Sequence, residues 1–406
     1  MRLNSGSIKV LHIISDLSVG GAEMMLYRLL SEMDEERFNC SVISLKNNGA
    51  LRGRISALGI PVYTLDIERA LTTPASGLRL LHLLHRIRPD LIQGWMPHGN
   101  LAALLASAVA PGRPSVLWNI RQSLDSLDYE KPITLKAIRL AAWLSDKPSA
   151  TIYNSRAGAA QHAAFGYNAE RSVVIYNGFD TKLFAPSKDA RLSLRSELGV
   201  AENGVLIGLI SRYHAIKNHS NFLRAAALLQ KQHTEVRFVL SGRGINWNNQ
   251  PLRLLIQELG LMGNVHLLGE RQDTERIIAA LDIAVSASHG EGFPNTIGEA
   301  MSCAVPCVVT DVSDLSWIIK GAGLVVPKNN SAAMARAFME MLEMGATGRE
   351  ALGRAGRARV MEHFRLDSVA AQYGMLYESV VSSRESEQTN LLYRPAWENY
   401  SDKSIL

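Results

Sequence analysis

Short apolar runs alternate along the chain with longer segments in which apolar residues recur every three or four positions. The first pattern is typical of buried strands and the second of amphipathic helices. The apolar runs predict strands at residues 8–14, 38–44, 62–65, 91–93, 116–119, 151–153, 173–176, 205–210, 236–240, 265–268, 283–285, 306–310 and 324–326. Strands that alternate with helices form parallel, doubly wound sheets, whose ligands gather at the carboxyl ends of the strands. The pattern therefore predicts an α/β protein and directs attention to the residues that follow each strand.

The alternation loosens once, around residues 181–188, where Pro186 lies among mixed polar residues. A linker there divides the chain into a domain of residues 1–183 and a domain of residues 184–365. Residues 366–381 have helical spacing, and residues 382–406 are polar and irregular, as in a loose tail. A chain of 406 residues, 47% of them hydrophobic, is long enough to bury two cores.

Charge and cysteine content narrow the class of protein. Forty-three Lys and Arg against 38 Asp and Glu give a net charge of +5, which favours acidic partners, such as a nucleotide phosphate or an anionic membrane face, without demanding nucleic acid. The three cysteines, Cys40, Cys303 and Cys307, are too few for a disulfide framework or a zinc site. The longest apolar stretch, residues 101–110, is about half of the ~20 residues needed to span a bilayer, so we expect a soluble or peripheral protein.

A glycine-rich turn between two carboxylates follows the strand at 283–285. Gly292 and Pro294 prevent the strand from continuing, and helical spacing begins near Asn295. The first N–H groups of a helix lack intrahelical partners and carry partial positive charge, so phosphate oxygens are stabilised there. Gly292 would let a ligand approach the main chain, because a β-carbon would collide with it.

Glu291 and Glu299 flank this turn and suit different tasks. Glu291 would face the mouth of a pocket, whereas Glu299, in the first helical turn, would lean back toward the helix start. Carboxylates accept hydrogen bonds, so beside a phosphate they match neutral hydroxyls, with a ribose diol the natural partner of Glu299. Alternatively, Glu299 complements the helix dipole and Glu291 is a solvated loop charge. The spacing alone leaves both interpretations open.

Two basic residues bracket the loop after the strand at 205–210. Arg212 and Lys217 supply a planar guanidinium and a mobile ammonium, which together match a diphosphate. The alternative for either residue alone is simple surface exposure. Gly242 lies in a similar turn after the next strand.

The first half of the chain also has a glycine-containing turn after a strand. Gly20 and Gly21 are adjacent and no third glycine follows at the spacing of a dinucleotide fingerprint, which argues against a nicotinamide enzyme. A plain turn is the alternative. His98 lies in a turn between a strand and a helix expected to begin near Asn100, so it either contacts a ligand or caps that helix.

Residues 131–143 could form a basic amphipathic helix. Lys131, Lys136 and Arg139 are interleaved with apolar residues that end at Trp143. Such a helix either lies on a membrane surface or, as is more usual, packs on its own domain with a solvated basic edge.

The segment from Glu291 to Glu299, with the sequence Glu-Gly-Phe-Pro-Asn-Thr-Ile-Gly-Glu, resembles the E-x7-E signature of the retaining family 4 glycosyltransferases. The Gly-Gly-Ala-Glu stretch ending at Glu23 resembles the N-terminal glycine loop of that family. The loop from Arg212 to Lys217 is similar to its basic loop, with Ser211 where glycine is common. The resemblance covers residues 8–381 and implies the GT-B fold, in which two Rossmann-like domains with parallel sheets face each other and the helix at 366–381 crosses back to the first domain.

The resemblance also implies roles for these residues. The second domain would bind a nucleotide-diphosphate sugar and the first a glycan acceptor, without cofactor or metal, and the pair Asp311 and Asp314 has the wrong spacing for a D-x-D metal motif. Arg212, Lys217 and Glu291 would be catalytic. Gly20 and His98 would contact the acceptor or the sugar. The implied donor-binding residues are Gly21, Arg212, Lys217, Gly242, Glu291, Gly292, Phe293, Pro294, Asn295 and Glu299.

The expected acceptor is a glycan, and we expect it to be lipid-linked, in the synthesis of a surface polysaccharide or glycolipid. The basic balance, the possible amphipathic segment at residues 131–143 and the lack of an apolar stretch long enough to span a bilayer are the grounds for this expectation. Together they predict a cytoplasmic enzyme with peripheral contact to the anionic inner face of the membrane and no nucleic-acid partner. Two other functions fit the same layout: a nucleotide-sugar epimerase, which would isomerise a sugar without an acceptor, and a catalytically silent sugar-nucleotide-binding protein.

Overall fold

A computed structural model of the chain describes residues 6–47, 49–67 and 74–385. Its strands are β1 Ile8–Ile14, β2 Phe38–Ser44, β3 Val62–Thr64, β4 Leu91–Trp95, β5 Ser115–Ile120, β6 Ala150–Tyr153, β7 Ser172–Val174, β8 Leu206–Ile210, β9 Arg237–Ser241, β10 Val265–Leu267, β11 Ile283–Ser286, β12 Cys307–Thr310 and β13 Gly323–Val326. Every predicted strand is present, with ends shifted by at most two residues.

The helices alternate with these strands. They are α1 Gly21–Glu32, α2 Leu51–Ala57, α3 Pro74–Ile87, α4 Met96–Val109, α5 Pro132–Trp143, α6 Arg156–Phe165, α7 Lys188–Leu198, α8 His219–Gln230, α9 Gln250–Glu258, α10 Thr274–Ala279, α11 Asn295–Ser302, α12 Leu315–Ile318, α13 Ser331–Glu343, α14 Gly345–His363 and α15 Leu366–Glu385. In the part of the chain that the structure describes, none is long and apolar enough to cross a bilayer.

Two parallel sheets organise the molecule. The first has seven strands in the order β3-β2-β1-β4-β5-β6-β7, and the second has six in the order β10-β9-β8-β11-β12-β13. At the centre of the first sheet, Ile14 of β1 lies beside Ser44 of β2 and Trp95 of β4. The predicted pair of doubly wound parallel sheets is therefore confirmed.

Helices cover both faces of the first sheet. Met25 and Leu29 of α1 pack on one face, together with Tyr373 and Tyr377 of α15. The opposite face is covered by α3, α4 and α5, whose inward residues are Leu83, Leu84, Ala103, Ala106, Ile138 and Ala141. Full burial of one large aliphatic side chain stabilises the fold by roughly 1.5–3 kcal/mol, so these stripes determine which side of each helix faces the sheet.

The helix α15 crosses back to the first domain, as predicted. The Tyr377 hydroxyl donates to Gln93 Oε1 at 2.6 Å, and the Tyr373 hydroxyl accepts from Asn119 Nδ2 at 2.9 Å. Both tyrosines are fully buried. The helix extends four residues beyond the expected end at 381, and residues 386–406 of the predicted tail lie outside the described residues.

Two chain segments pass between the domains, and they pair with each other. Phe179 N donates to Phe364 O at 2.8 Å, and Leu366 N donates to Phe179 O at 3.1 Å. The crossings thus lie close to the predicted domain limits at 183 and 365. The limits themselves stay a prediction.

The start of α4 differs from the prediction. The helix begins at Met96 instead of near Asn100, so His98 lies within its first turn and not in a loop before it. Met96 adopts a left-handed φ of 63°, which turns the chain directly from β4 into the helix, and Pro97 suits a first helical turn. Gly94 makes the close packing possible, since a β-carbon there would lie 2.5 Å from Asn100 Cα.

Candidate active site

The carboxyl ends of the two sheets meet at an interdomain cleft. Gly21, after β1, lies against Asn295, after β11, with 3.8 Å between the position of a Gly21 β-carbon and Asn295 Nδ2. The 3₁₀ turn Leu124–Tyr129 of the first domain contacts the 3₁₀ turn Ala215–Lys217 of the second. The loops identified from the sequence therefore converge on one region.

The turn that follows β11 is held by the first domain. A β-carbon at Gly292 would lie 2.6 Å from the carbonyl oxygen of Arg121, and one at Gly290 would lie 2.7 Å from Asp125 Cβ. We predicted that glycine at 292 leaves room for a ligand. In the structure the position of that β-carbon lies against the backbone of the opposite domain, and the contact with a ligand stays a prediction.

Lys217 and Glu291 form an ion pair within this turn region. Lys217 Nζ lies 2.5 Å from Glu291 Oε1, which also accepts from Ser288 Oγ at 2.6 Å. A backbone bond from His289 N to Ile216 O, 2.8 Å long, joins the two loops that carry them. Two predicted catalytic residues that are 74 positions apart thus share one contact. Their roles stay predictions.

Arg212 stands apart from this pair. Its side chain is exposed and makes no ion pair with any residue that the structure describes. Its loop packs on the turn at Gly242, where a β-carbon would lie 2.2 Å from Ser211 O and where φ is +144°. Gly242 is therefore required by backbone packing under the basic loop.

Glu299 has a partner that the sequence did not reveal. Because α11 begins at Asn295, Glu299 lies in its second turn instead of the predicted first turn. Its Oε1 lies 2.5 Å from Nη2 of Arg28, a residue of α1 in the other domain, and both side chains are buried. The Arg28 guanidinium also lies over the Phe184 ring, 5.6 Å from its centroid. One carboxylate oxygen expected to be free for ribose is thus already bound.

Phe293 and Pro294, both predicted to bind the donor, are buried. The Phe293 ring packs against Tyr176, Phe179 and Phe364, with ring centroids 5.7–5.9 Å apart. Pro294 is the residue that precedes the first turn of α11. The ring of Phe293 therefore belongs to the core, and this stretch can offer a ligand its main chain.

The first-domain side of the cleft carries Gly20, Glu23 and His98. Gly20 precedes α1, and the Glu23 carboxylate folds back so closely that a Gly20 β-carbon would lie 2.4 Å from Oε2. Burial lowers the pKa of His98, and Lys46 lowers it further. His98 is therefore neutral near pH 7 and can both donate and accept a hydrogen bond.

Sequence reasoning did not single out Glu23 for chemistry. Burial raises the pKa of its carboxyl to about 7, its own backbone amide opposes that shift, Asp16 adds to it, and Arg212 across the cleft opposes it. Shifted carboxyl groups in clefts are candidates for function. Its place three residues after Gly20 was the available signal, since a glutamate there commonly turns back to the helix start.

Arg121 was also missed. It directly follows β5, its side chain is buried, and it touches both domains. A single basic residue after a strand belongs to no motif, so the position at the carboxyl end of a central strand was the only signal in the sequence.

Asp314 ties the domains together a second time. Its carboxylate accepts from the backbone N–H of Arg156 at 2.6 Å and of Ala157 at 2.9 Å, the first residues of α6 in the opposite domain. A carboxylate is stabilised at a helix N-terminus by the orphan N–H groups and the dipole. Residues 6–47, 49–67 and 74–385 contain no cluster of three or more His, Cys, Asp or Glu arranged to hold a metal ion.

Two family profiles match the chain, one in each domain. The family described as Glycosyltransferase Family 4 matches residues 19–183, and the family described as Glycosyl transferases group 1 matches residues 204–344. With two facing Rossmann-like domains and the cleft described above, the chain belongs to the family 4 and group 1 glycosyltransferases of the GT-B fold.

Relatives and solved structures agree with this class. The chain is 27% identical to the putative glycosyltransferase EpsF of Bacillus subtilis, over 80% of this chain and 84% of that protein. It is 28% identical to the UDP-Gal:alpha-D-GlcNAc-diphosphoundecaprenol alpha-1,3-galactosyltransferase of Escherichia coli, over 84% and 90% of the two chains. The crystal structure of Anabaena HepE in complex with UDP and glucose superposes with a TM-score of 0.79 at 23% identity, covering 92% of this chain and all of that one.

Proposed function

We propose that the protein is a retaining, metal-independent glycosyltransferase that moves a sugar from a uridine-diphosphate sugar to a hydroxyl of a lipid-linked glycan. The observation that carries the proposal is the Lys217–Glu291 pair at the turn before α11, with the exposed Arg212 at the start of the loop that ends at Lys217. The uridine nucleotide is supported by the name of the Escherichia coli relative and by the UDP in HepE.

The two cations suit the departing diphosphate. When the bond between the sugar C1 and the phosphate oxygen breaks, negative charge grows on that oxygen, and preorganised cations beside it lower the barrier. Lys217 and Arg212 would supply this charge, which in other enzymes a metal ion supplies. Glu291, already oriented by Lys217 and Ser288, would hold sugar hydroxyls. The acceptor hydroxyl would attack C1 from the face that the diphosphate leaves and would pass its proton to the departing phosphate oxygen, so the anomeric configuration is retained.

Glu299 would bind the ribose through one oxygen while the other stays with Arg28. A carboxylate has two oxygens and about four acceptor positions, so one arginine bond does not exhaust it. The neutral His98 imidazole and the main chain at Gly20 and Gly21 would contact the acceptor or the transferred sugar from the opposite side.

Three helices of the first domain would face an anionic membrane. The helices α3, α4 and α5 cover the same face of the first sheet, and their sequences contain no Asp or Glu. Their charged residues are Arg79, Arg86, Lys136 and Arg139. The exposed apolar residues on them are Leu78, Leu81, Leu105, Val109, Ile133, Leu140 and Trp143, the last 79% exposed. Each basic residue near such a surface contributes about 1 kcal/mol, which gives reversible binding suited to a lipid-linked acceptor in the cytoplasm.

The test of the transfer function is a reaction with UDP-sugars and a diphosphoundecaprenol-linked acceptor. The expected product is an extended lipid-linked glycan whose new linkage has the anomeric configuration of the donor, read by NMR. Inversion of that configuration would contradict the mechanism. Isomerised donor without acceptor would establish the epimerase, and donor binding without transfer or hydrolysis would establish the silent binding protein.

The membrane contact is tested by cosedimentation with vesicles of anionic lipid. Binding should fall between about 0.05 M and 0.5 M salt, because salt screens exposed charges over a few ångströms at the higher value. The triple variant in which Lys131, Lys136 and Arg139 are changed to Gln should bind the vesicles less than wild type does. The matched control changes the exposed second-domain residues Lys188, Lys231 and Arg253 to Gln. Equal loss in both triple variants would show a net-charge effect and contradict the three-helix face.

A further inference from the structure

The buried guanidinium of Arg121 lies where the two domains meet. Arg121 follows the last residue of β5, and its side chain is 8% exposed. Its guanidinium lies 5.7 Å from the ring centroid of Trp95. Arginine is rarely buried to this degree without a counter-ion, so its surroundings call for an explanation.

Arg121 joins three parts of the chain through neutral acceptors. Its Nη1 donates to Asn119 Oδ1 and to the Tyr373 hydroxyl, each at 3.0 Å. Its Nη2 donates to Asn177 Oδ1. These acceptors belong to β5, to α15 and to the loop after β7, so one planar group bonds to the sheet, to the returning helix and to the interdomain segment.

The chain of contacts continues into the second domain. Asn177 Nδ2 donates to Asn295 Oδ1 at 2.5 Å, and Asn295 is the first residue of α11. The carbonyl oxygen of Arg121 independently packs against Gly292, at 2.6 Å from the position of its missing β-carbon. The turn that precedes α11 is thus seated on Arg121 at two points, once through Asn177 and once directly.

The charge of Arg121 is not balanced by a carboxylate. Within the described residues it forms no ion pair, and its Nε has no hydrogen-bond partner. An unpaired buried charge costs several kcal/mol, and a neutral side chain would fill the same space more cheaply. Its positive potential acts on the adjacent turn, where an anionic diphosphate would be stabilised by it.

We propose that Arg121 is a positioning residue of the donor site. Its guanidinium holds the turn at residues 290–295 in its phosphate-binding shape by fixing Asn177, while its main-chain carbonyl oxygen packs against Gly292. The inference rests on the proposed donor role of this turn. The residues proposed to contact the nucleotide lie in the second domain. The affinity for the nucleotide nevertheless depends on Arg121, a first-domain residue whose side chain reaches the nucleotide only through other residues.

The first test measures hydrogen exchange in the ligand-free, full-length protein. Arg121→Gln removes the charge and the forked donor, and Arg121→Lys keeps only the charge. In both variants the amides of residues 290–299 should exchange about tenfold faster than in wild type, because the turn loses its support. Unchanged protection of that segment in both variants would overturn the proposal.

The matched control is Arg195→Gln. Arg195 is also a buried arginine, but it is bound to Asp282 and backbone carbonyls inside the second domain. Its loss should lower the melting temperature without selective exchange at residues 290–299. If Arg121→Gln behaves in the same way, its role is structural and the proposal is wrong.

The second test is a double-mutant cycle read by titration with UDP. If Arg121→Gln does not fold, Asn177→Ala still tests the contact chain, because it is a smaller change and should keep the fold. Each single variant should weaken UDP binding about tenfold, and the double variant should be no weaker than either, since both act through one contact chain. Full additivity would contradict the proposal. Failure of wild type to bind UDP would contradict the nucleotide assignment instead, and the exchange experiment would still decide the role of Arg121.

Discussion

Two carboxylates of one nine-residue stretch, Glu291 and Glu299, each lie 2.5 Å from a cation, yet the two pairs differ in placement. Lys217 reaches Glu291 within the second domain and its side chain is 21% exposed. Arg28 reaches Glu299 from the other domain, and its side chain is 10% exposed. In the first pair, Lys217 can exchange Glu291 for a ligand, because solvent and ligand can reach its ammonium group. The second pair connects the domains, and neither member can be left alone without a large cost.

The comparison teaches that spacing in sequence does not determine shared function. Both glutamates lie in one stretch that resembles a family motif, but the cation bound to Glu291 is 21% exposed and the cation bound to Glu299 is 10% exposed. The following experiments separate a pair used for chemistry from a pair used for assembly.

The largest expected effect is on turnover. Lys217→Ala and Arg212→Ala should each reduce kcat for transfer from a UDP-sugar by more than tenfold, because each removes charge that stabilises the leaving diphosphate. Lys231→Ala, which removes an exposed cation at the end of α8, is the control and should retain wild-type turnover. Near-wild-type rates in both Lys217→Ala and Arg212→Ala would contradict the proposed role of these two residues in stabilising the leaving diphosphate.

The next effect is on stability, and it should reverse the order of the two pairs. Arg28→Ala should lower the free energy of unfolding by about 3 kcal/mol, because it leaves a buried carboxylate unpaired. Lys217→Ala should cost less, about 1–2 kcal/mol, because the ammonium is 21% exposed and Ser288 still donates to the Glu291 carboxylate. Urea unfolding measures both, and removing Arg28 and Glu299 together should restore part of the loss. If Arg28→Ala and Lys217→Ala lower the free energy of unfolding equally, the proposed difference between the two ion pairs is wrong.

Glu23 sharpens the comparison, because it is a cleft carboxyl without an ion pair among the described residues. Its usual pKa of 4.5 is raised to about 7 in the folded protein, chiefly by burial. Between pH 4.5 and about pH 7 the Glu23 carboxyl is protonated in the folded state and ionised in the unfolded state. The free energy of unfolding therefore falls as pH rises through this window, and above about pH 7 the folded protein bears the full cost of a buried, ionised Glu23.

The variant Glu23→Gln should remove this pH-dependent penalty. The free energy of unfolding of the variant should exceed that of wild type only slightly near pH 4.5 and by on the order of 2 kcal/mol near pH 8. Unfolding measured at both pH values gives this difference. A gain that is the same at both pH values would show that ionisation of Glu23 is not the cause.

The smallest expected effect is that of a chelator. If Lys217 and Arg212 supply the charge for the leaving group, EDTA should leave turnover unchanged, and added magnesium or manganese should not raise it. Activity that is lost with EDTA and restored by either ion would assign that role to a metal.

Local patterns were enough to predict the strands and the turn at Gly292, because apolar runs and helix-start chemistry act over a few residues. The approach of Lys217 to Glu291 was also accessible, since both follow neighbouring strands, β8 and β11, of one parallel sheet. These parts of the fold and site follow from short-range rules.

The contacts between domains were not accessible in this way. Arg28 and Glu299 are 271 positions apart, on helices whose faces look ordinary in isolation. Asp314 was considered as part of a metal motif and rejected, but its bond to the start of α6 depends on how the domains meet. The same holds for Arg121 and Gly292. No local pattern encodes the relative placement of two separately folded sheets.

The returning helix α15 makes the first domain discontinuous along the chain. Tyr373 and Tyr377 complete a core that also contains residues of α1, α2 and the strands of the first sheet, and they follow the whole second domain in sequence. During synthesis we therefore expect an uncovered apolar strip on the first domain until residue 380 has emerged. Ribosome-bound chains that end at residue 365 should be cleaved by protease within the first domain. Chains tethered through a C-terminal linker long enough to bring residue 385 out of the ribosome should resist, and equal resistance would contradict this order. The half of the enzyme that is made first is then the half whose folding finishes last.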